Sequence, residues 1–168
     1  GTITTNLSVI PESFYDAIID ENIEPIDLKL DTNFNFLIFG QLTGNLPEND
    51  RKNILNTLKW FCEVFSDDPD VGIVIKTNSG RNTTIDKKIT GNIMSQVISE
   101  IRPGPYPKIH MIHGRMTEAE VASLYRHEKI KALVTFTRGE GFGLPILEAA
   151  ASGLPVIATN WSAHTEFL

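Results

Sequence analysis

Five short runs of β-branched and apolar residues recur along the chain, each parted from the next by a longer amphipathic stretch, and this alternation restricts the fold more than any other feature. The runs fall at residues 35–40 (NFLIFG), 71–77 (VGIVIKT), 108–113 (KIHMIH), 132–136 (ALVTF) and 155–158 (PVIA). Their length suits strands, and their nearly continuous apolar character suits strands covered on both faces. Between the first two, residues 50–65 set Ile54, Leu55, Leu58, Phe61, Cys62 and Phe65 at three- and four-residue spacings, which predicts a helix with one buried stripe. Residues 86–101 repeat the pattern with Ile89, Ile93, Met94, Val97, Ile98 and Ile101. Thr117 followed three residues later by Glu120 forms a capping box, which opens a helix through Val121, Leu124 and Tyr125. Pro145, suited to a first helical position, opens a fourth helix over 145–152 that Gly153 stops. Strands alternating with helices predict an α/β fold, a Rossmann-like doubly wound parallel sheet with right-handed crossovers.

This pattern occupies residues 32–168 of the 168-residue chain. Residues 1–31 fall outside it, with one candidate strand at 7–10 ended by Pro11 and then an acidic stretch containing Pro25, and read as a connector between domains. Residues 102–107 (RPGPYP) form a turn-rich link. Gly1 at one end and Glu166-Phe167-Leu168 at the other read as positions internal to a longer protein. A hydrophobic content of 41% suffices for a packed core. The net charge of −6, with basic residues scattered apart from Arg51-Lys52 and Lys87-Lys88, argues against a general nucleic-acid binder, which needs a basic face. Cys62 alone excludes a disulfide framework or a Cys-rich zinc site and reads as a helix packing residue. No His, Asp or Glu cluster has metal-ligand spacing, and neither a P-loop nor a GxGxxG follows the first strand, so no bound metal and no dinucleotide cofactor is expected. The absence of a long apolar run fits a cytoplasmic location, with peripheral attachment of the parent protein to the inner face of a membrane left open.

In an open parallel sheet, ligands bind beyond the carboxyl ends of the strands. The residues there are Gly40-Gln41, Asn78-Ser79-Gly80, Gly114-Arg115, the loop 137–144 and Thr159-Asn160. In the fourth loop Gly139, Gly141 and Gly143 bracket Glu140 and Phe142, so the backbone can approach a ligand closely. The amides around Phe142 and Leu144 stand at a helix start and make an anion site. Glu140 lies before the helix and Glu148 inside it, so both carboxylates can face one pocket, and there they suit hydroxyl groups better than phosphate. A ligand with phosphate in the middle and sugar at each end meets both requirements. Taken alone, Glu148 reads equally well as an acid favoured by the helix dipole, and Lys52 as a solvated helix start.

The segment from Glu140 to Glu148, EGFGLPILE, followed by AAASGLPVIA, resembles the E-x7-E signature of retaining group-1 glycosyltransferases with the GT-B fold. The resemblance extends more weakly to Val9-Ile10-Pro11 at the interdomain entry, to residues 36–41 and to His113-Gly114. It implies the C-terminal, donor-binding half of such an enzyme, moving a sugar from a nucleoside diphosphate sugar to an acceptor with retention. Glu140 matches the glutamate that contacts the donor sugar and is the implied catalytic residue. Glu148 matches the one that holds the ribose hydroxyls. The amides of Gly141, Phe142, Gly143 and Leu144 would meet the sugar and distal phosphate, and Gly40, Gln41, Gly114 and Arg115 would complete the substrate site. Lys52 resembles the lysine that neutralises the diphosphate. Where the family has arginine after the first-strand glycine this chain has Gln41, and Arg51 is hypothesised to supply the missing guanidinium. An N-terminal acceptor domain is the implied partner, and the domain alone is expected to bind nucleotide without transferring sugar. The competing readings are a nucleotide-sugar epimerase of the same fold, which needs a catalytic acid in the cleft, and a non-catalytic nucleotide-sugar-binding module.

Overall fold

A computed structural model describes residues 8, 10–42, 47–101 and 103–168. The elements follow in order β1 (Phe34–Phe39), α1 (Ile54–Val64), β2 (Val71–Thr77), α2 (Thr84–Ile101), β3 (Lys108–His113), α3 (Glu118–Tyr125), β4 (Ile130–Thr135), α4 (Leu144–Ala151) and β5 (Val156–Ala158), with 3-10 turns at Asp16–Ile18, Pro47–Asn49 and Ala163–Glu166. The strands form one parallel sheet in the order β3-β2-β1-β4-β5. This is the α/β, Rossmann-like architecture expected from the alternation. Chain order reverses between β1 and β4, so the loops leaving these two neighbours diverge and open a crevice at their carboxyl ends.

The core is split by the sheet into two clusters. One gathers Ile38, Ile54, Leu58, Phe61, Ile73, Ile75, Met94 and Val134, and the other Leu37, Val74, Leu124, Tyr125, Leu133, Ile146 and Ala149. The expectation that every strand is covered on both faces holds for β2, which is buried throughout, but fails at the two edges. No residue of β3 or β5 is fully buried, and Ile157 of β5 is 45% exposed, because an edge strand lacks a neighbour on one side and the helices centre on the inner strands.

Helix α1 begins at Ile54, four residues later than the periodicity suggested. Asn53 adopts a left-handed conformation (φ 55°), and the Asp50 carboxylate accepts from Leu55 N at 2.8 Å, so residues 50–53 form a turn ahead of the helix. In α2 the buried face carries Thr90, Met94 and Ile98, whereas Ile89 and Ile93 are 52% and 36% exposed. At roughly 100° per residue, Ile89 lies about 140° from Met94, so the six apolar residues cannot share one stripe. Helix α3 has its capping box in full, with Thr117 Oγ1 accepting from Glu120 N and the Glu120 carboxylate accepting from Thr117 N at 2.7 Å. Helix α4 starts at Leu144, which makes Pro145 its second residue rather than its first.

Of the candidate strand at 7–10, residues 7 and 9 lie outside the described residues. The segment that follows packs on the domain. Ile18 and Leu30 are buried in the core with Tyr125, the Arg126 guanidinium donates to the carbonyls of Ile18 and Asp20, and Ser123 Oγ accepts from Ile26 N at 2.6 Å.

Candidate functional site

The crevice at the β1/β4 divergence holds a cavity of about 450 Å³. Its walls come from successive strand ends: Phe39, Gly40 and Gln41 from β1, Lys76 and Asn78 from β2, and Gly114 and Arg115 from β3. Arg51 and Lys52 close it from the turn before α1, and Pro145 from α4. Gly40 is a close-approach glycine, since a Cβ there would stand 2.6 Å from Ile54 Cδ1. Gln41 donates to Asn78 Oδ1 at 2.8 Å, tying the first two strand ends together.

The loop between β4 and α4 is pinned by its own polar residues. Thr137 is buried, and its hydroxyl accepts from Gly139 N, while its carbonyl accepts from Thr159 Oγ1 at 3.1 Å and Trp161 Nε1 at 3.3 Å. Ser162 holds the Glu140 backbone from both sides, accepting from Glu140 N at 2.9 Å and donating to Glu140 O at 3.1 Å. Gly143 caps α4 in the left-handed region (φ 97°), and a Cβ there would meet His164 Cβ at 3.2 Å, so this position needs glycine on two counts. Among the described residues nothing accepts from the amides of Gly141, Phe142, Gly143 and Leu144, which leaves donors at the positive end of the helix dipole.

The Glu140 side chain is only 6% exposed and meets Lys52 Nζ at 2.6 Å and Arg51 Nη1 at 3.3 Å. Burial pushes its pKa up, but the hydrogen bond and charge of Lys52, with smaller help from Thr137 and Arg51, outweigh that and hold it below the usual carboxylate range. Arg51 also donates to Gly139 O at 2.5 Å. Glu148, one turn inside α4, is buried and accepts from the Tyr125 hydroxyl at 2.9 Å. Burial raises the Glu148 pKa, the Tyr125 hydroxyl restraining the rise. Burial and then the neighbouring carboxylate raise the Tyr125 pKa far above that of an ordinary phenol, so Tyr125 is the donor.

Of the residues singled out from sequence, Gly40, Gln41, Arg51, Lys52, Gly114 and Arg115 line the cavity together. Glu140 joins them through Lys52 and Arg51. Glu148 stands behind them, bonded to Tyr125, which stacks on the cavity residue Phe39 at 5.4 Å. The Phe142 ring packs on Phe167 at 5.3 Å. His113 accepts or donates to Ser79 Oγ at 2.9 Å, and His110, half-buried, has its pKa lowered by burial. Sequence reasoning passed over Lys76 and Ser162, read Tyr125 only as a helix residue, and placed Asn78 and Thr137 at the binding edge without giving either a role. A lone lysine in the apolar run VGIVIKT was the visible signal for Lys76, whereas nothing local marked Ser162. Among the described residues no His, Cys, Asp and Glu group is placed to hold a metal ion, and no helix is long and apolar enough to cross a membrane.

Residues 104–168, which carry both glutamates and the α4 N-terminus, match the family model of glycosyl transferases group 1. No curated protein sequence matches the chain. Among solved structures, the chain is similar to the C-terminal domain of the glycosyl transferase group 1 family protein LpcC from Francisella tularensis, with 23% identity, a TM-score of 0.60, and coverage of 92% of this chain and 74% of that one. It is also similar to the UDP-forming alpha,alpha-trehalose-phosphate synthase from Burkholderia xenovorans, with 10% identity, a TM-score of 0.54, and coverage of 80% and 31%. A third likeness is to the lipopolysaccharide outer core galactosyltransferase WaaB, with 18% identity, a TM-score of 0.50, and coverage of 93% and 37%. At these identities the structural likeness establishes the fold. The chain thus spans about a third of the length of the last two proteins.

Proposed function

We propose that this chain is the donor-binding domain of a retaining glycosyltransferase that takes a sugar from a nucleoside diphosphate sugar. The observation that carries the reading is the meeting of Glu140 with Lys52 and Arg51, at 2.6 and 3.3 Å, beside four amides leading into α4 that have no acceptor among the described residues. It gains weight from the group 1 match over the same segment. Cations and helix amides suit a diphosphate, and carboxylates suit sugar hydroxyls. Lys52 and Arg51 neutralise the diphosphate as the glycosidic bond breaks, a large contribution where the leaving group is anionic. Glu140 exchanges part of its cation contact for the donor sugar. Glu148 keeps Oε2 on Tyr125 and offers Oε1 to the ribose hydroxyls. Arg51 takes the place of a guanidinium that Gln41 cannot supply. The acceptor is recognised by a second domain, whose closure over the cavity excludes water.

Calorimetric titration of the folded domain with UDP, GDP and ADP tests donor binding, and heat from at least one nucleotide is expected. A folded sample that binds none of the three overturns the reading. In the full-length protein Glu140→Ala is expected to abolish sugar transfer, and undiminished transfer counts equally against it.

A further inference from the structure

Lys76 is a charged residue in a place where the sheet offers it no counter-charge. It sits near the end of β2, an inner strand, between the buried Ile75 and Thr77, and is itself only 8% exposed. Its ammonium donates to Gly114 O at 2.5 Å and, at the limit of reach, to Thr77 O at 3.5 Å. Both partners are carbonyls. Among the described residues no carboxylate pairs with it; of the three other cations lining the cavity, Lys52 and Arg51 are both engaged by Glu140, and Arg115 is exposed to solvent rather than buried like Lys76.

Placing an ammonium in such a position without an anion is unfavourable, and replacing it with an apolar residue of similar length would relieve that. Burial alone pushes the Lys76 pKa below that of a free lysine, as expected for a desolvated cation without a counter-ion. An ammonium has three donors, and two point at carbonyls. The side chain lines the cavity together with Gln41, Asn78, Gly114 and Arg115, so an anion entering there reaches Lys76 without first breaking an ion pair. An anion meeting Lys52 or Arg51 must compete with Glu140.

We propose that Lys76 is the anion anchor of this cavity, its ammonium binding the phosphate oxygens of the ligand from the β2 side. The proposal rests on the donor-site reading for the identity of the anion as a diphosphate. It differs from a role in which Lys76 only fastens the turn at Gly114, where φ is +117°. A fastener stabilises the free protein, while an anchor burdens it and acts when ligand arrives.

The test compares the wild type with Lys76→Met in urea unfolding and in calorimetric titration with UDP, GDP, ADP, the corresponding nucleosides and inorganic pyrophosphate. The anchor predicts a free variant at least as stable as the wild type, with diphosphate and pyrophosphate affinity reduced tenfold or more and nucleoside affinity changed less than threefold. Diphosphate affinity within threefold of wild type overturns the anchor and leaves the donor reading standing. Equal losses for nucleosides and diphosphates, or a destabilised variant, assign Lys76 to fastening the turn and overturn it as well. A wild type that binds none of these ligands removes both readings together. Should Lys76→Met fail to fold, lysine side-chain NMR on the wild type decides, with Lys76→Arg identifying the resonance. Saturating pyrophosphate must raise the Lys76 titration midpoint, and an unmoved midpoint overturns the proposal.

Discussion

Replacing Tyr125 with phenylalanine isolates the bond that holds the second carboxylate. Tyr125 is 1% exposed, its ring stacks on Phe39 at 5.4 Å, and its hydroxyl donates to Glu148 Oε2 at 2.9 Å. Phenylalanine keeps the ring and the stack, so the perturbation is confined to one hydrogen bond. A bond to an ionised partner contributes about 1.5–3 kcal/mol and one between neutral groups about 0.5–1.5 kcal/mol, so the loss depends on the charge of Glu148. Burial raises the Glu148 pKa and the Tyr125 hydroxyl opposes that rise, so the variant's carboxyl moves higher still. A carboxyl whose folded pKa exceeds its unfolded value binds more protons when folded. Its contribution is therefore present below the unfolded pKa and lost as pH rises through the folded one. Tyr125→Phe widens that window. Urea unfolding from about pH 5 to about pH 8 is expected to show the variant less stable by about 1.5–3 kcal/mol at the upper end, the gap narrowing as Glu148 takes up its proton. A gap that does not change with pH, or one under about 0.5 kcal/mol at the upper end, refutes the claim that this hydroxyl stabilises an ionised Glu148.

Two further substitutions address the first carboxylate. Lys52→Met removes the 2.6 Å partner of Glu140, whose folded pKa lies below its unfolded value, so the stabilisation lost is present above the unfolded pKa and vanishes as pH falls through the folded one. Urea titration is expected to show a deficit of about 1.5–3 kcal/mol near neutrality that closes in acid. Ser162→Ala removes both hydrogen bonds to the Glu140 backbone and is expected to lower stability by about 1–2 kcal/mol in the same assay and, on the proposed donor-site reading, to weaken nucleoside diphosphate affinity. A Ser162→Ala protein with unchanged stability and affinity means that this loop is held by its glycines and Thr137 alone.

The sheet was legible because parallel strands buried by helices are written as apolar runs, and β2 and β3 fell on the residues that the runs marked. What the pattern does not encode is the strand order, and with it which strands end at edges. Hence β5, with Ile157 exposed, looked in sequence like any inner strand. Helix α2 misled for a related reason. Its isoleucines fill two faces, and only packing against the Ile73 and Ile75 side of the sheet selects the face of Met94 and Ile98. Glu140 and Glu148 were legible through a contiguous motif, but the groups that fix them were not. Tyr125 meets Glu148 across 23 positions and Ser162 meets Glu140 across 22, and no local spacing announces such pairs.

The turn at residues 50–53 fixes how Arg51 and Lys52 reach the cavity. With Asp50 capping Leu55 and Asn53 left-handed, Arg51 and Lys52 are lifted out of the helix that their spacing had assigned them to. The turn is then fastened to the end of β4, since Arg138 N donates to Arg51 O at 2.9 Å and Asn53 Nδ2 donates to Phe136 O at 3.0 Å. Backbone and short-side-chain bonds therefore fix where both cations start, and the long side chains need only close the last gap to Glu140. A guanidinium directly after β1 would approach from the strand itself. One carried on this turn approaches with the β4 loop, so the cationic wall of the cavity and the Glu140 carboxylate that engages it are built as one piece, with Lys76 on the β2 side.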